Sequence, residues 1–411
     1  MTAIAYEYPA EIVAIREGLE RFVRTEVIPR HEDNAALLEN PHRRFTEDGR
    51  YSAPVLRLIS EVRQAAARAG YYGMCAPESI GGQGLGHVAW FAGWEKIFHL
   101  CGGQYWLGHF ALAHWAFGPS PVLTELTPVA RERFLVDIMN GEKSMCFGMS
   151  EPGAGSDAMM MQTRAVADGD GWRISGSKIW TTNSPYADYC IVFAVTDPEA
   201  AAQRRNGISA FLVPTSSPGF VVQRVIRMWD SAGGNEAVLH FDDIRVEPWQ
   251  LVGRLNKGFA IAMLGVNLGR IYNSARAIGM GRWALEKAFE YVKVRKAFGN
   301  PIAEYQGVTF PLAESAMHIH AAHLMALNVS QLLDRGLPAR KELSMTKGFA
   351  TQMGALAVDR AMQVHGAIGM TAEMHMAEMF HSLRLVQIAD GSNEILRRTI
   401  AKEMLDGDVD L

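Results

Sequence analysis

Cysteine is scarce: Cys75, Cys101, Cys146 and Cys190 are the only four among 411 residues. They lie far apart, with no Cys-x-x-Cys spacing and no secretory segment ahead of them, so a reducing cytoplasm is expected. Long apolar runs are missing too. No segment approaches the ~20 uninterrupted apolar residues that cross a bilayer, and the opening MTAIAYEYPAEIVAIREGLERF carries acids early, which predicts a soluble, unprocessed chain with no membrane partner. Neither sign of charge dominates. With 40 Lys and Arg against 44 Asp and Glu, a net charge of -4 and no arginine run longer than a pair, nucleic acid is not expected as a partner.

The common catalytic signatures are absent as well. There is no Walker loop, no Gly-x-Ser-x-Gly elbow and no zinc-protease histidine pair. Gly84-Leu85-Gly86-His87-Val88-Ala89 has the outline of a dinucleotide fingerprint but follows a helix-like segment where a strand is required. His318 and His320 stand two apart on a predicted helix and point in different directions, so no metal site is expected.

What is present is an ordinary globular composition, 48% apolar and 20% charged, long enough for two or three domains. Apolar residues recur at three and four positions from Pro9 to about Asn140, as in Ile12, Ile15, Leu19, Phe22 and Val23, which predicts helices. Asn40 to Arg50 reads as a polar linker, and the glycines at 81, 82, 84 and 86 as a loop between helices. From Met145 the runs CIVFAVTD, ISAFLVPTS, GFVVQRVI and EAVLHFDDIRV are short and β-branched, with Asp168-Gly169-Asp170-Gly171 as a turn. Helical periodicity returns after about Gly258 and lasts to Leu405, broken at Gly299-Asn300-Pro301 and Gly336-Leu337-Pro338. An α+β chain follows: an N-terminal helical domain (1–143), a central β-domain of barrel or sandwich type (144–254) and a C-terminal helical domain (255–411).

Two segments suggest chemistry. In FGMSEPGAGSD, Phe147 to Asp157, Gly153, Ala154 and Gly155 let backbone N–H groups approach a ligand, and Ser150 and Ser156 add hydroxyls suited to carbonyl or phosphate oxygens. Taken alone it reads equally as an ordinary turn. GWRISGSKIWTTNSPYADY places Trp180, Thr181 and Thr182 on a probable strand, a flat ring beside two hydroxyls, which suits either an aromatic cofactor or a plain core.

Together, SEPGAGSD and KIWTTN resemble the acyl-CoA dehydrogenase family. The resemblance continues through GYYGMCAPESIGGQGLG at Gly70, RKAFGNPIAEYQ at Arg295, QVHGAIG at Gln363 and ADGSNEILRR at Ala389, and so spans nearly the whole chain. It implies FAD as cofactor and a C-terminal four-helix bundle. The flavin would be held by Phe147, Met149, Ser150, Gly155, Ser156, Trp180, Thr181 and Thr182, with Ser392 and Glu394. Arg295, Phe298, Gln306, Gln363 and Gly366 would meet the FAD of a neighbouring subunit in a homodimer or homotetramer, arginine being suited to phosphate by its bidentate fork.

It also implies removal of two hydrogens from a CoA thioester to give the trans-2-enoyl-CoA, with electron-transferring flavoprotein as acceptor. Asp390, just before Gly391, stands where the family's catalytic carboxylate sits; members more often carry Glu there, or on an earlier helix at a position matching Gly269, which cannot act as a base. The Asp side chain is one methylene shorter, ~1.5 Å in reach. The competing reading of Asp390 is a cap for the helix running from Glu394. Ser156, Asn267, Arg270 and Gly391 would contact the substrate; Asn267 and Arg270 alternatively form a solvated helix face. Two departures stand out: MWDSAGGNEA at Met228 replaces an Arg-rich loop, and Ala297 stands where a Thr often touches the flavin. The aromatic stretch Gly103 to Gly118, with Trp106 and His109, would bound the acyl pocket and suggest a short, cyclic or branched acyl group, or else is plain packing. Two other functions remain open at this point: a flavin oxidase of a small carbon acid resembling nitroalkane oxidase, and a flavin-free scaffold.

Overall fold

The computed structural model describes residues 8–229 and 231–410; Asp230, within the MWDSAGGNEA stretch, lies outside them. The elements used below are helices α1 (Ala10–Phe22), α2 (Ala53–Arg68) and α3 (Gly86–Cys101). Strands β1 (Met145–Gly148), β2 (Arg164–Asp168), β3 (Gly171–Thr182), β4 (Tyr189–Val195), β5 (Ile208–Pro214), β6 (Phe220–Val225), β7 (Glu236–Val246) and β8 (Leu251–Val252) follow. Helix α4 (Gly258–Val294) comes next, then a two-stranded ribbon of β9 (Lys296–Ala297) and β10 (Asn300–Pro301). Helices α5 (Gln306–Asp334), α6 (Arg340–His365), α7 (Met376–Val386) and α8 (Asn393–Leu405) complete the chain. The order helices, strands, helices is the α+β class expected, and the two predicted breaks fall in the ribbon and between α5 and α6. The segment from Asn40 to Arg50 is less plain than a linker: Pro41–Arg44 forms a helical turn, with the Asn40 side chain accepting from the His42 N–H.

Residue contacts gather the chain into two compact units, one of residues 1–29, 85–109 and 267–411, the other of 30–84 and 110–266. The second unit is built on a sheet of order β6-β7-β3-β2-β4-β5-β8, with β1 added in parallel to β4. All seven residues of β4 are buried, which explains its unbroken apolar run: a strand covered on both faces has no polar side to alternate with. The turn at Asp168 closes β2 onto β3, pairing Asp168 with Gly171, and Gly169 takes φ 61° as such a tight hairpin requires. Phe211, Leu239, Phe241 and Ile244 fill the space against β4.

In the first unit α5 packs on α6, α6 on α7 and α8, and α3 on α1 and α5. α4 comes close to α6 because both carry small residues at the crossing. A Cβ placed on Gly354 would stand 2.5 Å from the Ala277 carbonyl oxygen, and one on Gly281 would stand 3.5 Å from the Gly354 Cα. At Gly354 no side chain larger than hydrogen fits without moving a backbone; at Gly281 the close neighbour is the Ile319 side chain, 2.7 Å from such a Cβ.

Candidate active site

In the sheet unit the two segments singled out from sequence are brought together. The Ile179 N–H donates to the Ser150 carbonyl at 2.9 Å, and Lys178 of β3 reaches across to donate to Glu151 Oε1 at 2.8 Å and to the Met149 carbonyl at 3.1 Å. Glu151 also accepts from the N–H groups of Gln162 and Thr163. Burial pushes the Glu151 carboxyl up, but the Lys178 ammonium outweighs it and holds the group below its ordinary range. This buried pair, not legible as functional in the sequence, fixes the loop after β1 against the strand.

Just beyond it β3 slips register against β7 between Lys178 and Thr181, one extra residue on β3. Trp180 lies in this bulge at φ 61° and its ring is 54% exposed. Bulges re-aim side chains in this way. Beside it the Thr181 hydroxyl is buried and has no partner among the described residues, and Thr182 is half-buried. Gly155 and Ser156 are exposed, and nothing stands within 4 Å of where a Cβ on Gly153 or Gly155 would be. Phe147 faces the other way, packed on Trp115 and Phe193 with ring centroids 4.6 and 4.5 Å apart. The Thr182 hydroxyl donates to Glu236 Oε1 at 3.5 Å, so what this region offers is the exposed Trp180 ring, the unpartnered Thr181 hydroxyl and approachable backbone, which suits a flat aromatic group rich in hydrogen-bonding atoms.

The helical unit holds the acid. Asp390 and Gly391 lie in the turn between α7 and α8, both left-handed at φ 54° and 96°, a conformation that favours Gly and is tolerated by Asp. Two buried cations hold this turn through its carbonyls. Arg270 Nε of α4 donates to the Asp390 C=O at 3.1 Å, and Lys347 Nζ of α6 donates to the Gly391 C=O at 2.8 Å. The Asp390 carboxylate accepts from Asn273 Nδ2 at 2.8 Å. Among the described residues the Asp390 N–H meets no backbone carbonyl.

Burial raises the Asp390 carboxyl to about 6, against the pull of Lys347, Arg270 and Asn273. Burial lowers Lys347 to about 8, with Arg270 adding to the fall while Asp390 and Glu394 resist it. The turn therefore keeps a carboxylate near neutrality beside two cations and one amide.

Two of the competing sequence readings fail here. The cap of α8 is Ser392, whose hydroxyl accepts from the Ile395 N–H, so Asp390 is not the capping residue. Arg270 is 6% exposed and is not on a solvated face; Asn267 Oδ1 accepts from it at 3.4 Å. Glu394 is exposed on the first turn of α8.

Arg295, Phe298 and Gln306 lie around the β9–β10 ribbon and the start of α5, all exposed, with Phe298 98% exposed. The Tyr305 hydroxyl ties this ribbon by donating to the Ala297 carbonyl at 2.9 Å. Gln363 and Gly366 are exposed at the end of α6, where His365 stacks on Tyr291 of α4 at 4.4 Å. Trp106 and His109 share a 3-10 turn, His109 resting on Phe98 at 4.7 Å. Asn273 and Lys347 were missed by sequence reasoning. They stand 117 and 44 residues from their partners and look like ordinary polar positions of long helices.

Three profiles of one family cover the chain: the acyl-CoA dehydrogenase N-terminal domain matches residues 9–142, the middle domain 146–244 and the C-terminal domain 256–405. The chain is 32% identical to a probable acyl-CoA dehydrogenase, YngJ, of Bacillus subtilis over 97% of its length and 99% of that protein. It is 31% identical to the caffeyl-CoA reductase-Etf complex subunit CarC of Acetobacterium woodii, over 84% of this chain and 89% of that one. The solved structure of butyryl-CoA dehydrogenase from Megasphaera elsdenii superposes with a TM-score of 0.82 at 26% identity, covering 98% of this chain and all of that one. With full-length matches in sequence and fold, the chain belongs to the acyl-CoA dehydrogenase family and is an FAD-dependent oxidoreductase.

Proposed function

We propose that this enzyme dehydrogenates an acyl-CoA thioester to its trans-2-enoyl-CoA, with Asp390 removing the α proton. The observation that carries the reading is the acid itself: a carboxyl raised by burial to about 6 is ionised at neutral pH yet basic enough to accept a proton. The Asp390 N–H, which meets no backbone carbonyl among the described residues, supplies a fixed donor for the thioester carbonyl, where negative charge develops as the α proton leaves. FAD, when bound, supplies the acceptor for the β hydride. Trp180, Thr181, Thr182, Met149, Ser150, Gly155 and Ser156 would hold its flavin end, helped by Ser392 and Glu394; the buried, unpartnered Thr181 hydroxyl and the exposed Trp180 ring fit that group. Asn267, Arg270 and Gly391 would bind substrate near the acid.

Anaerobic addition of CoA thioesters of varied length and branching to the FAD-loaded enzyme is expected to bleach the flavin absorbance. No bleaching by any of them, with fast reoxidation by O2 after reduction by a small carbon acid, would overturn the reading.

Lys347 tests the electrostatics. Lys347→Met removes a cation that holds Asp390 down, so the pH midpoint of flavin reduction should rise by about one unit, within the usual range for a neighbouring charge. Arg270 and Asn273 on α4 and Lys347 on α6 act on the acid, which in turn acts on Tyr272 of α4, while Glu394 on α8 acts on Lys347. Lys347→Arg should keep the midpoint. An unmoved midpoint in the methionine variant would detach Lys347 from the acid.

Electron-transferring flavoprotein is the proposed acceptor, supported by the relative named for a complex with Etf. A homodimer or homotetramer is supported by Phe310, Met317 and Leu324, exposed seven residues apart on α5, together with Phe298. In it Arg295, Phe298, Gln306, Gln363 and Gly366 would reach the partner's FAD. A cytoplasmic location fits four free cysteines and the absence, among described residues, of a helix able to cross a membrane.

A further inference from the structure

Among the described residues, the half-buried Arg276 of the helical unit has no counter-charge. Arg16 and Arg282 both close on Glu95. Arg276, on the same helix as Arg282, closes on no carboxylate among the described residues, and its buried Nε has no hydrogen-bond partner. Its group lies over the Phe98 ring at 5.7 Å and hydrogen-bonds the Tyr272 side chain, where burial raises the phenol and Arg276 holds it down. Tyr272 in turn packs edge-on against Trp94 at 4.7 Å and against Phe98 at 5.6 Å. Trp94 is fully buried, and its indole N–H also has no partner among the described residues. The Phe98 ring face attracts the guanidinium, but a half-buried charge normally finds a counter-charge or acceptor as well.

The location matters as much as the missing partner. Asn273, whose amide bonds the Asp390 carboxylate, is three residues before Arg276. Side chains at that spacing neighbour each other on a helix, with Cβ atoms about 5–6 Å apart. Asp390 also acts on Tyr272 electrostatically, so one phenol is within reach of both the acid and the guanidinium. A chain starting at the carbon that Asp390 deprotonates would need only a few further carbons to reach Arg276.

We propose that Arg276 binds a carboxylate at the far end of the acyl group, making the substrate a short CoA thioester of a dicarboxylic acid. This rests on the reading of Asp390 as the base. A guanidinium grips a carboxylate through two parallel N–H donors, a geometry an ammonium cannot copy. The aromatic walls strengthen that grip by excluding water from the pair, and Tyr272 orients the guanidinium.

The test compares two thioesters of equal carbon number, glutaryl-CoA and pentanoyl-CoA, by the rate at which each bleaches the flavin of the loaded enzyme without oxygen. Glutaryl-CoA is expected to act ~10-fold or more faster at low concentration, the scale of a hydrogen bond to a charged group. Arg276→Met should abolish or invert that ratio, and Arg276→Lys should keep part of it, with flavin content and near-UV circular dichroism checking that each variant folds. Preference for pentanoyl-CoA in the unaltered enzyme, or an unchanged ratio in Arg276→Met, overturns the assignment while leaving the general reaction standing. If neither thioester bleaches the flavin, both readings fall.

Discussion

Asp390→Asn is expected to give a folded, yellow protein whose flavin is reduced by substrate roughly 10²-fold or more slowly, the usual scale for losing a general base. The substitution is close to isosteric, and an amide oxygen can still accept from Asn273 Nδ2, which donates to the carboxylate at 2.8 Å. The carbonyl bonds from Arg270 and Lys347 involve main-chain oxygens and should survive. The unaltered enzyme should show reduction that rises with pH through about 6 and then levels, because only the ionised acid accepts a proton and burial places its titration there. The variant should lose that step.

Stability gives an independent sign. A carboxyl whose folded value is raised from 3.8 to about 6 costs the folded state nothing below 3.8, more as pH climbs between the two values, and the full amount above 6. Removing the charge should therefore raise the unfolding midpoint at pH 8 and leave it unchanged at pH 3.5. A variant that is slow because it is damaged would be less stable at both. Normal reduction rates in Asp390→Asn would remove this residue from the chemistry.

Much of this arrangement is legible in the sequence, for reasons that differ by element. The strands of the sheet unit announce themselves because β4 is buried on both faces and so is apolar throughout, and because the turn at Asp168 needs glycine at a positive φ. The Asp390-Gly391 pair stands out because a left-handed turn between helices restricts residue type. What could not be read is polarity that long helices hide. Asn273, Lys347 and Arg276 have the spacing of solvent-facing residues on segments with weak amphipathic contrast, and burial of Lys347 and Asn273 becomes apparent only once distant helices pack. The pairing of residues 1–29 and 85–109 with the C-terminal helices is likewise a matter of tertiary contact, invisible to any local period.

The same blindness conceals Glu95, where the largest loss of stability is expected. This carboxylate is fully buried on α3, accepts from Arg16 at 2.9 Å and from Arg282, and has His323 Nδ1 at 3.8 Å. Burial alone would raise it, but Arg282, Arg16 and His323 together bring it down to about 2. His323 itself falls to about 4, through burial and the two arginines despite Glu95, so the imidazole is neutral at physiological pH. Glu95→Gln would leave the guanidiniums of Arg16 and Arg282, 20% and 35% exposed, without their buried counter-charge; removing one member of a buried ion cluster typically costs about 3–5 kcal/mol, and the water reaching the two arginines places this loss at the lower end.

Glu20 provides the contrast. It too is lowered to about 2, by hydrogen bonds from Lys96 and Arg24, yet its side chain is 34% exposed. Water screens that pair, and Glu20→Gln should cost no more than about 1 kcal/mol. Denaturant titrations followed by tryptophan fluorescence, with Trp94 next to Glu95, separate the two. The pH dependence has a fixed sign as well: a depressed carboxyl stabilises above its unfolded value near 4.5 and loses that contribution as pH falls toward about 2. The unaltered protein should therefore lose its advantage over Glu95→Gln progressively below pH 4.5. Equal stability of the two at pH 7 would mean that the Arg16, Arg282 and Glu95 cluster contributes nothing to holding α1, α3 and α4 together.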